Sequence, residues 1–427
     1  MKDLDPKIIA WLQDHLIPRL AGVFGEECAN VDECKVTRPK GSFFLSDLFF
    51  ATIRLRGAPV ERCLLVKLPA QDPNVRKRQN YNYLFSNEIL FYQRLAAGSS
   101  DYPQCYFCWY YDKGVCLTKG GEVPVFDKVI VLENVCSRGY SVCPDKFDLQ
   151  QDYLAAGLRS LARFHGRTYT LKELRPAKFR EIVGGIINIR YDPLDERKTA
   201  VYAKNVNKRV ARVSRALTRS TRLVSEEDRV FTAEVARLLE NCHSNVMMRS
   251  VEPREPLATI VHGDCTVNNM LFRWSESLAR REAMLVDFAL VMYSSPATDV
   301  STFLYMSASR LDLKTRFREL FQIYHGELAQ YLKDQKIWDP VKYSYEAFVE
   351  DFKKSAILGY VISIFFLPIM TEYAKNNDLL DDVDEAIERL NITGGGEPLT
   401  DRLVDTLIDM REAGLLDYYV TCNPTGR

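Results

Sequence analysis

Two carboxylates and an amide, close together in sequence, carry the most specific chemistry in the chain. They are Asp264 in His262-Gly263-Asp264, Asn269 at the fifth position after it, and Asp287 in LVDF. Transfer of a phosphoryl group to a hydroxyl needs a carboxylate that orients the attacking OH and accepts its proton. It also needs hard oxygen ligands that hold Mg²⁺ against the phosphates of ATP. A tight loop that opens at Asp264 and closes at Asn269 meets the first need and half of the second. Asp287, arriving on the next strand, supplies the other metal ligand. Each fragment alone occurs by chance, and an Asp at a strand end often caps a turn. It is the series HGD-x4-N, then an apolar strand into VDF, that points to phosphoryl transfer.

Upstream residues fit the same chemistry. Lys67 ends the apolar run CLLVKL, an awkward place for a lysine unless it holds the α- and β-phosphates of ATP. Such a lysine needs an acidic partner, and Glu88 lies on the helical segment that follows. Taken singly, a lysine on an edge strand and a glutamate on a solvated helix face explain them as well; taken with the downstream set, the pair is favoured. Gly41, Ser42 and Ser46 in KGSFFLSDLFF form a candidate loop over the phosphates, without the G-x-G-x-x-G spacing and with bulky Phe43 and Phe44 between them. The strand end VLENV, with Glu133 and Val135, suits a hinge whose backbone bonds adenine; an ordinary strand end reads the same way.

These residues need two kinds of scaffold. Before about residue 135 the chain reads as strands: LFFATIRLRG and ERCLLVKLPA as a hairpin, then QCYFCWYYD and DKVIVLENV. One helix, from Tyr81 to Ala97, falls between those pairs. An amphipathic helix is also expected at the N-terminus, in MKDLDPKIIAWLQDHLIP. After residue 145 the pattern is helical. FDLQQDYLAAGLRSLARFHGRTY places Leu154, Leu158, Leu161 and Phe164 on one face, and Ser225 with Asp228 predicts a capping box. A short β insert (ATIVHGD, NMLFRW, AMLVDFAL) interrupts the helices, which resume near Ala297. The expected class is α+β: a small β lobe with one helix, then a large, mainly helical lobe.

Composition excludes several alternatives. The 427 residues are 47% hydrophobic and 27% charged, and the 57 basic residues balance the 57 acidic ones. No overall charge draws the chain to nucleic acid or anionic lipid. Eleven scattered cysteines suit reduced thiols and a cytoplasmic location. Cys105 and Cys108 have no second pair to complete a zinc site. The longest apolar run, AILGYVISIFFLPIM, falls short of a membrane span and is interrupted by Pro368, so a buried helix is expected.

VHGDCTVNNMLF followed by LVDF and SSPATDV resembles the ecdysteroid kinase-like (CHK kinase-like) family, of the aminoglycoside phosphotransferase and choline kinase group. LVKLPAQDP, FSNEILFYQRL, VLENV and LARFHG support the resemblance, which runs from about residue 35 to 415. It implies a protein-kinase-like two-lobe fold, with a nucleotide-binding lobe over 1–134 and a catalytic, acceptor-binding lobe over 135–427. It implies ATP and Mg²⁺ as cofactors and a small hydroxyl compound, such as an ecdysteroid, as acceptor. By the same resemblance Asp264 is the base, Asn269 and Asp287 the metal ligands, and Lys67 with Glu88 the phosphate-binding pair. His262 braces the catalytic loop and Asp299 stabilises it. Ala289 stands where many members have Gln, and Thr266 where many have Trp. The Gly of HGD, the missing DFG glycine and the missing A-P-E set the chain apart from protein kinases. The helical insertion over 170–255 lies where such kinases build the acceptor pocket.

Other readings compete. A pseudokinase would keep the fold without turnover. A choline-like or ethanolamine-like amine, or a xenobiotic alcohol, could be the acceptor. A basic stripe, Lys204, Lys208, Arg212, Arg215, Arg219 and Arg222, lies opposite Val206, Val210, Val213 and Leu217. It reads as a solvated helix face; the sharper reading is a site for an acidic partner. No aromatics interleave it, so no nucleic-acid partner is expected.

Overall fold

In the computed structural model the described residues are 6–24, 31–39, 46–55, 61–69, 81–110, 128–191, 196–373 and 383–420. The chain divides into two compact units, Met1–Ser141 and Val142–Arg427.

Alternation along the strands organises the first unit. Strands β1 (Val31–Thr37), β2 (Asp47–Leu55), β3 (Arg62–Leu68), β4 (Cys105–Tyr110) and β5 (Lys128–Glu133) form one sheet in the order β1-β2-β3-β5-β4. The pairings along it are antiparallel. Phe49, Ala51 and Ile53 of β2 and Leu64, Val66 and Leu68 of β3 share one face, as every second residue of a strand must. That face is buried under Ile8, Trp11, Leu12, Leu16 and Leu20 of the N-terminal helical segment. The segment runs as α1 (Pro6–Trp11), a π turn at Leu12–Leu16, and α2 (Ile17–Val23). Lys67, one residue out of step with the apolar set, projects from the opposite face, where helix α3 (Tyr81–Arg94) supplies its partner. The expected β2–β3 hairpin is present, with Lys67 opposite Leu48. Strand β1 is an addition to the expected elements.

The second unit is built on α4 (Gln151–Leu174), which buries Leu154, Leu158, Leu161, Phe164 and His165. Helix α5 (Pro176–Gly185), helix α6 (Glu196–Leu217) and helix α7 (Glu226–Glu240) make the insertion, and α7 opens on the Ser225–Asp228 capping box. The β insert follows: β6 (Thr259–Val261), β7 (Met270–Ser275), β8 (Arg280–Leu285) and β9 (Met292–Ser294). Strands β7 and β8 form an antiparallel hairpin, and β6 pairs with β9. Helices α8 (Ala297–Ser307), α9 (Arg310–Asp334), α10 (Tyr345–Lys353), α11 (Ala356–Tyr373), α12 (Val383–Thr393) and α13 (Gly396–Glu412) complete the unit.

The apolar run forms the expected buried helix as α11, which continues through Pro368. A proline in a helix strips a hydrogen bond from the preceding turn, and Arg209 donates to the Phe365 carbonyl in that turn. Among the described residues no single helix is long and apolar enough to cross a membrane. One expectation is corrected in part: the basic stripe of α6 is not wholly a solvated face. Val206, Val210, Val213 and Leu217 are buried as expected, but Lys208, Arg212 and Arg222 of the basic set are also partnered. Lys208 pairs with Glu388 at 2.8 Å. Just beyond the helix, Arg222 reaches Asp405, Asp409 and Glu412 at 2.8, 3.1 and 2.8 Å. Arg212 donates to the Gly394 carbonyl. Lys208 and Arg222 are thus paired with acids of the chain's own C-terminal helices, while Lys204, Arg215 and Arg219 are exposed as expected.

Candidate active site

Strand β6 ends in His262-Gly263-Asp264, and every backbone donor of that tripeptide is held. Asp299, in the first turn of α8, accepts the His262 N–H at 2.6 Å and the Gly263 N–H at 2.9 Å. The Asp264 N–H donates to His262 Nδ1 at 3.3 Å. His262 Nε2 lies 3.0 Å from the Val286 carbonyl, which can only accept, so the ring carries its proton there. His262 thereby ties the start of the loop to the end of β8, with Phe288 packed on its ring at 4.9 Å.

Asp299 is itself fixed from behind. His165 Nε2 lies 3.0 Å from its Oδ2, and the Tyr324 hydroxyl lies 2.9 Å from His165 Nδ1. Burial works to raise the Asp299 pKa, yet the His165 hydrogen bond and the charges and N–H groups around it hold it below the usual carboxylate range. A carboxyl with a depressed folded pKa stabilises the fold above its unfolded pKa and loses that contribution as pH falls through the folded value. Acid denaturation below about pH 4 is therefore expected to weaken in Asp299→Asn, whose stability starts lower at neutral pH. Urea midpoints against pH for both chains measure it.

Gly263 has φ +78°, and a Cβ there would lie 2.0 Å from the Leu290 carbonyl oxygen. No other residue fits, which explains the Gly of HGD in local terms.

Hairpin β7–β8 brings the remaining residues to one rim. Met270 faces Leu285, so Asn269 and Val286 are opposite, joined by the Val286 N–H to the Asn269 carbonyl at 3.0 Å. Asp287 is the next residue, with φ +64°. A left-handed backbone is tolerated best by Gly, Asn and Asp, and its use at a non-glycine residue is common at functional positions. Asn269 Nδ2 donates to Asp264 Oδ2 at 3.0 Å and to the Asp264 carbonyl at 2.8 Å. Asp264, Asn269 and Asp287 thus belong to one loop-and-hairpin assembly.

The partner on the other carboxylate oxygen was not visible in the sequence. Arg190 Nη1 lies 3.0 Å from Asp264 Oδ1. Burial opposes the charge on Arg190, but Asp264 and the neighbouring Tyr202 and Tyr191 raise its pKa above the ordinary value. A small cleft lies alongside, lined by residues including Ile187, Arg190, Tyr191, Gly263, Leu290 and Met292.

In the first unit, Lys67 Nζ and Glu88 Oε2 are 2.6 Å apart and buried. Removing one member of a buried pair leaves an uncompensated charge and costs about 3–5 kcal/mol. Lys67→Met should be destabilised on that scale, and Lys67→Met/Glu88→Leu should recover much of it, read by thermal denaturation of the single and double variants. The Glu133 side chain is committed internally. Its Oε2 accepts from the Gln104 N–H at 3.2 Å and from Arg138 at 3.3 Å, and its backbone N–H donates to the Gln104 carbonyl at 2.7 Å. Val135 opens a 3-10 turn, and its carbonyl accepts the Tyr140 N–H at 3.3 Å. Ser46 precedes β2; Gly41 and Ser42 lie outside the described residues.

Among the described residues no three His, Cys, Asp or Glu side chains converge as a metal cage. Asn269 and Asp287 instead offer one amide and one carboxylate oxygen. That set fits Mg²⁺, which commonly takes one or two carboxylates and draws its other ligands from water and substrate phosphates.

A five-stranded antiparallel sheet with a buried Lys–Glu pair, and a helical unit carrying HGD, Asn and Asp on a β insert, define a protein-kinase-like α+β protein. The chain belongs to the ecdysteroid kinase-like family, whose model matches residues 40–337. No curated protein matches the chain.

Proposed function

We propose that this chain is an ATP-dependent kinase that transfers the γ-phosphoryl group to a hydroxyl of a small, largely apolar alcohol. The observation that carries the reading is the assembly of Asp264, Asn269 and Asp287 on one loop-and-hairpin rim. The family, kinase-like as a whole, agrees with it. Asp264 orients the acceptor hydroxyl and takes its proton. A carboxylate offers about four acceptor sites, and Arg190 and Asn269 use two, so sites remain for the hydroxyl. His262 and Asp299 fix the loop. Lys67, positioned by Glu88, holds phosphate oxygens. The backbone of Glu133 and Val135 serves adenine, and Gly41, Ser42 and Ser46 cover the phosphates. Asn269 and Asp287 would hold Mg²⁺, which neutralises phosphate charge when bound. The eight described cysteines are free, in accord with a reducing compartment, and we propose the cytoplasm. The family's name suggests a steroid alcohol of the ecdysteroid kind as acceptor.

The test is ADP release with Mg²⁺-ATP over ecdysteroids, other hydroxylated lipids and choline, for wild type and Asp264→Ala. Acceptor-dependent release that vanishes in the variant supports the reading. Stabilisation by ATP without turnover on any acceptor supports a pseudokinase instead.

A further inference from the structure

We propose that Arg190 sets the charge of the acceptor: it positions Asp264 and excludes cationic alcohols, so the acceptor is uncharged near its reacting hydroxyl. The inference rests on the kinase reading and names the substrate class and the residue that selects it.

Arg190 belongs to the short segment between α5 and α6, inside the helical insertion, and that segment is anchored. The Tyr191 N–H donates to Asn188 Oδ1 at 3.1 Å. His243 Nε2 lies 3.0 Å from the Arg190 carbonyl, and the His243 ring stacks on Tyr191 with centroids 6.1 Å apart. The His243 N–H is held by Asn207 Oδ1 at 3.0 Å. From this base the guanidinium extends over two aromatic rings, Tyr202 at 5.4 Å and Phe366 at 5.7 Å, and ends on Asp264. Asp264 is its ion-pair partner among the described residues.

A cationic alcohol is recognised by an unbalanced carboxylate or by open aromatic faces around its ammonium group. Among the described residues neither is offered beside Asp264. The carboxylate is balanced by Arg190, and the rings of Tyr202 and Phe366 already carry a guanidinium. An ammonium brought in on the same molecule as the reacting hydroxyl would approach a partly buried like charge, in surroundings that screen it less than bulk water. A neutral alcohol meets no such barrier. It also finds Asp264 tethered at Oδ1 by Arg190 and at Oδ2 by Asn269.

The experiment uses choline and its neutral isostere, in which a tert-butyl group replaces trimethylammonium, as matched acceptors at the same Mg²⁺-ATP concentration. The wild type should favour the neutral probe by roughly tenfold or more in kcat/KM, the scale of a lost cation–π contact or an added like-charge contact. Arg190→Met should lose that preference, mainly through a lower KM for choline, whereas Arg190→Lys should keep it. Equal use of both probes by the wild type, or a preference unchanged in Arg190→Met, overturns the proposal. A second arm needs no turnover. In Asp264→Ala the guanidinium loses its carboxylate and should recruit an anion. Replacing chloride by sulfate should then raise Tm by several degrees more than in wild type, and Asp264→Ala/Arg190→Met should lose the gain. Absence of that gain also overturns the proposal. If the kinase reading itself fails, no acceptor supports ADP release while the sulfate effect remains.

Discussion

Asp264→Asn is expected to lower phosphoryl transfer by about 10²–10⁴-fold, the usual contribution of a positioned general base. Mg²⁺-ATP binding should survive, because the proposed metal ligands and Lys67 are untouched. The same substitution should also lower stability, since it strips the counter-charge from Arg190. Breaking a well-buried pair costs about 3–5 kcal/mol; both partners keep some solvent contact here, so the lower end applies. Combining it with Arg190→Met should restore part of the stability and none of the activity. ADP release, ATP titration calorimetry and thermal denaturation on the three variants separate the two effects.

Gly263→Ala should be nearly as damaging, by another route. The methyl group would meet the Leu290 carbonyl oxygen at 2.0 Å, and φ +78° adds backbone strain. Positive φ costs a residue with a Cβ about 1–2 kcal/mol. Overpacking against a fixed backbone adds about 1–3 kcal/mol. Relief requires the tripeptide to move, which breaks the bonds that hold it to Asp299. Gly98→Ala is the control: its φ is +71°, but nothing lies within 4 Å of the added carbon. Urea midpoints should fall far more for position 263 than for position 98, and only the former should lose turnover.

Much of the scaffold was legible because local rules govern it. The step of two along FFATI and LLVKL predicts which face of the sheet is apolar, and so why Lys67 stands on the other. The Ser225–Asp228 box marks a helix start through bonds between near neighbours. The Asp264, Asn269 and Asp287 set could be found because one hairpin generates its spacing. What escaped depends on contacts far apart in sequence. Arg190 sits in INIRYDP, which has neither periodicity nor motif, and its significance appears only when Asp264 lies beside it. Strand β1, VDECKVT, is mostly polar, and its place comes from pairing with β2. The basic stripe looked solvated because the acids that meet it lie far downstream, on α12 and α13.

That last arrangement bears on how the protein behaves among polyanions. Asp405 and Asp409 of α13 are shared by Arg222 from the insertion and by Arg310 of α9, and Lys314 joins at Asp409. Helix α13 therefore holds against Arg222, Arg310 and Lys314 the carboxylates that a bound acidic polymer would otherwise supply. The family match ends at residue 337, well before this helix. A chain shortened to that match would leave Arg222, Arg310 and Lys314 without these carboxylates, and should bind heparin more tightly than the full chain.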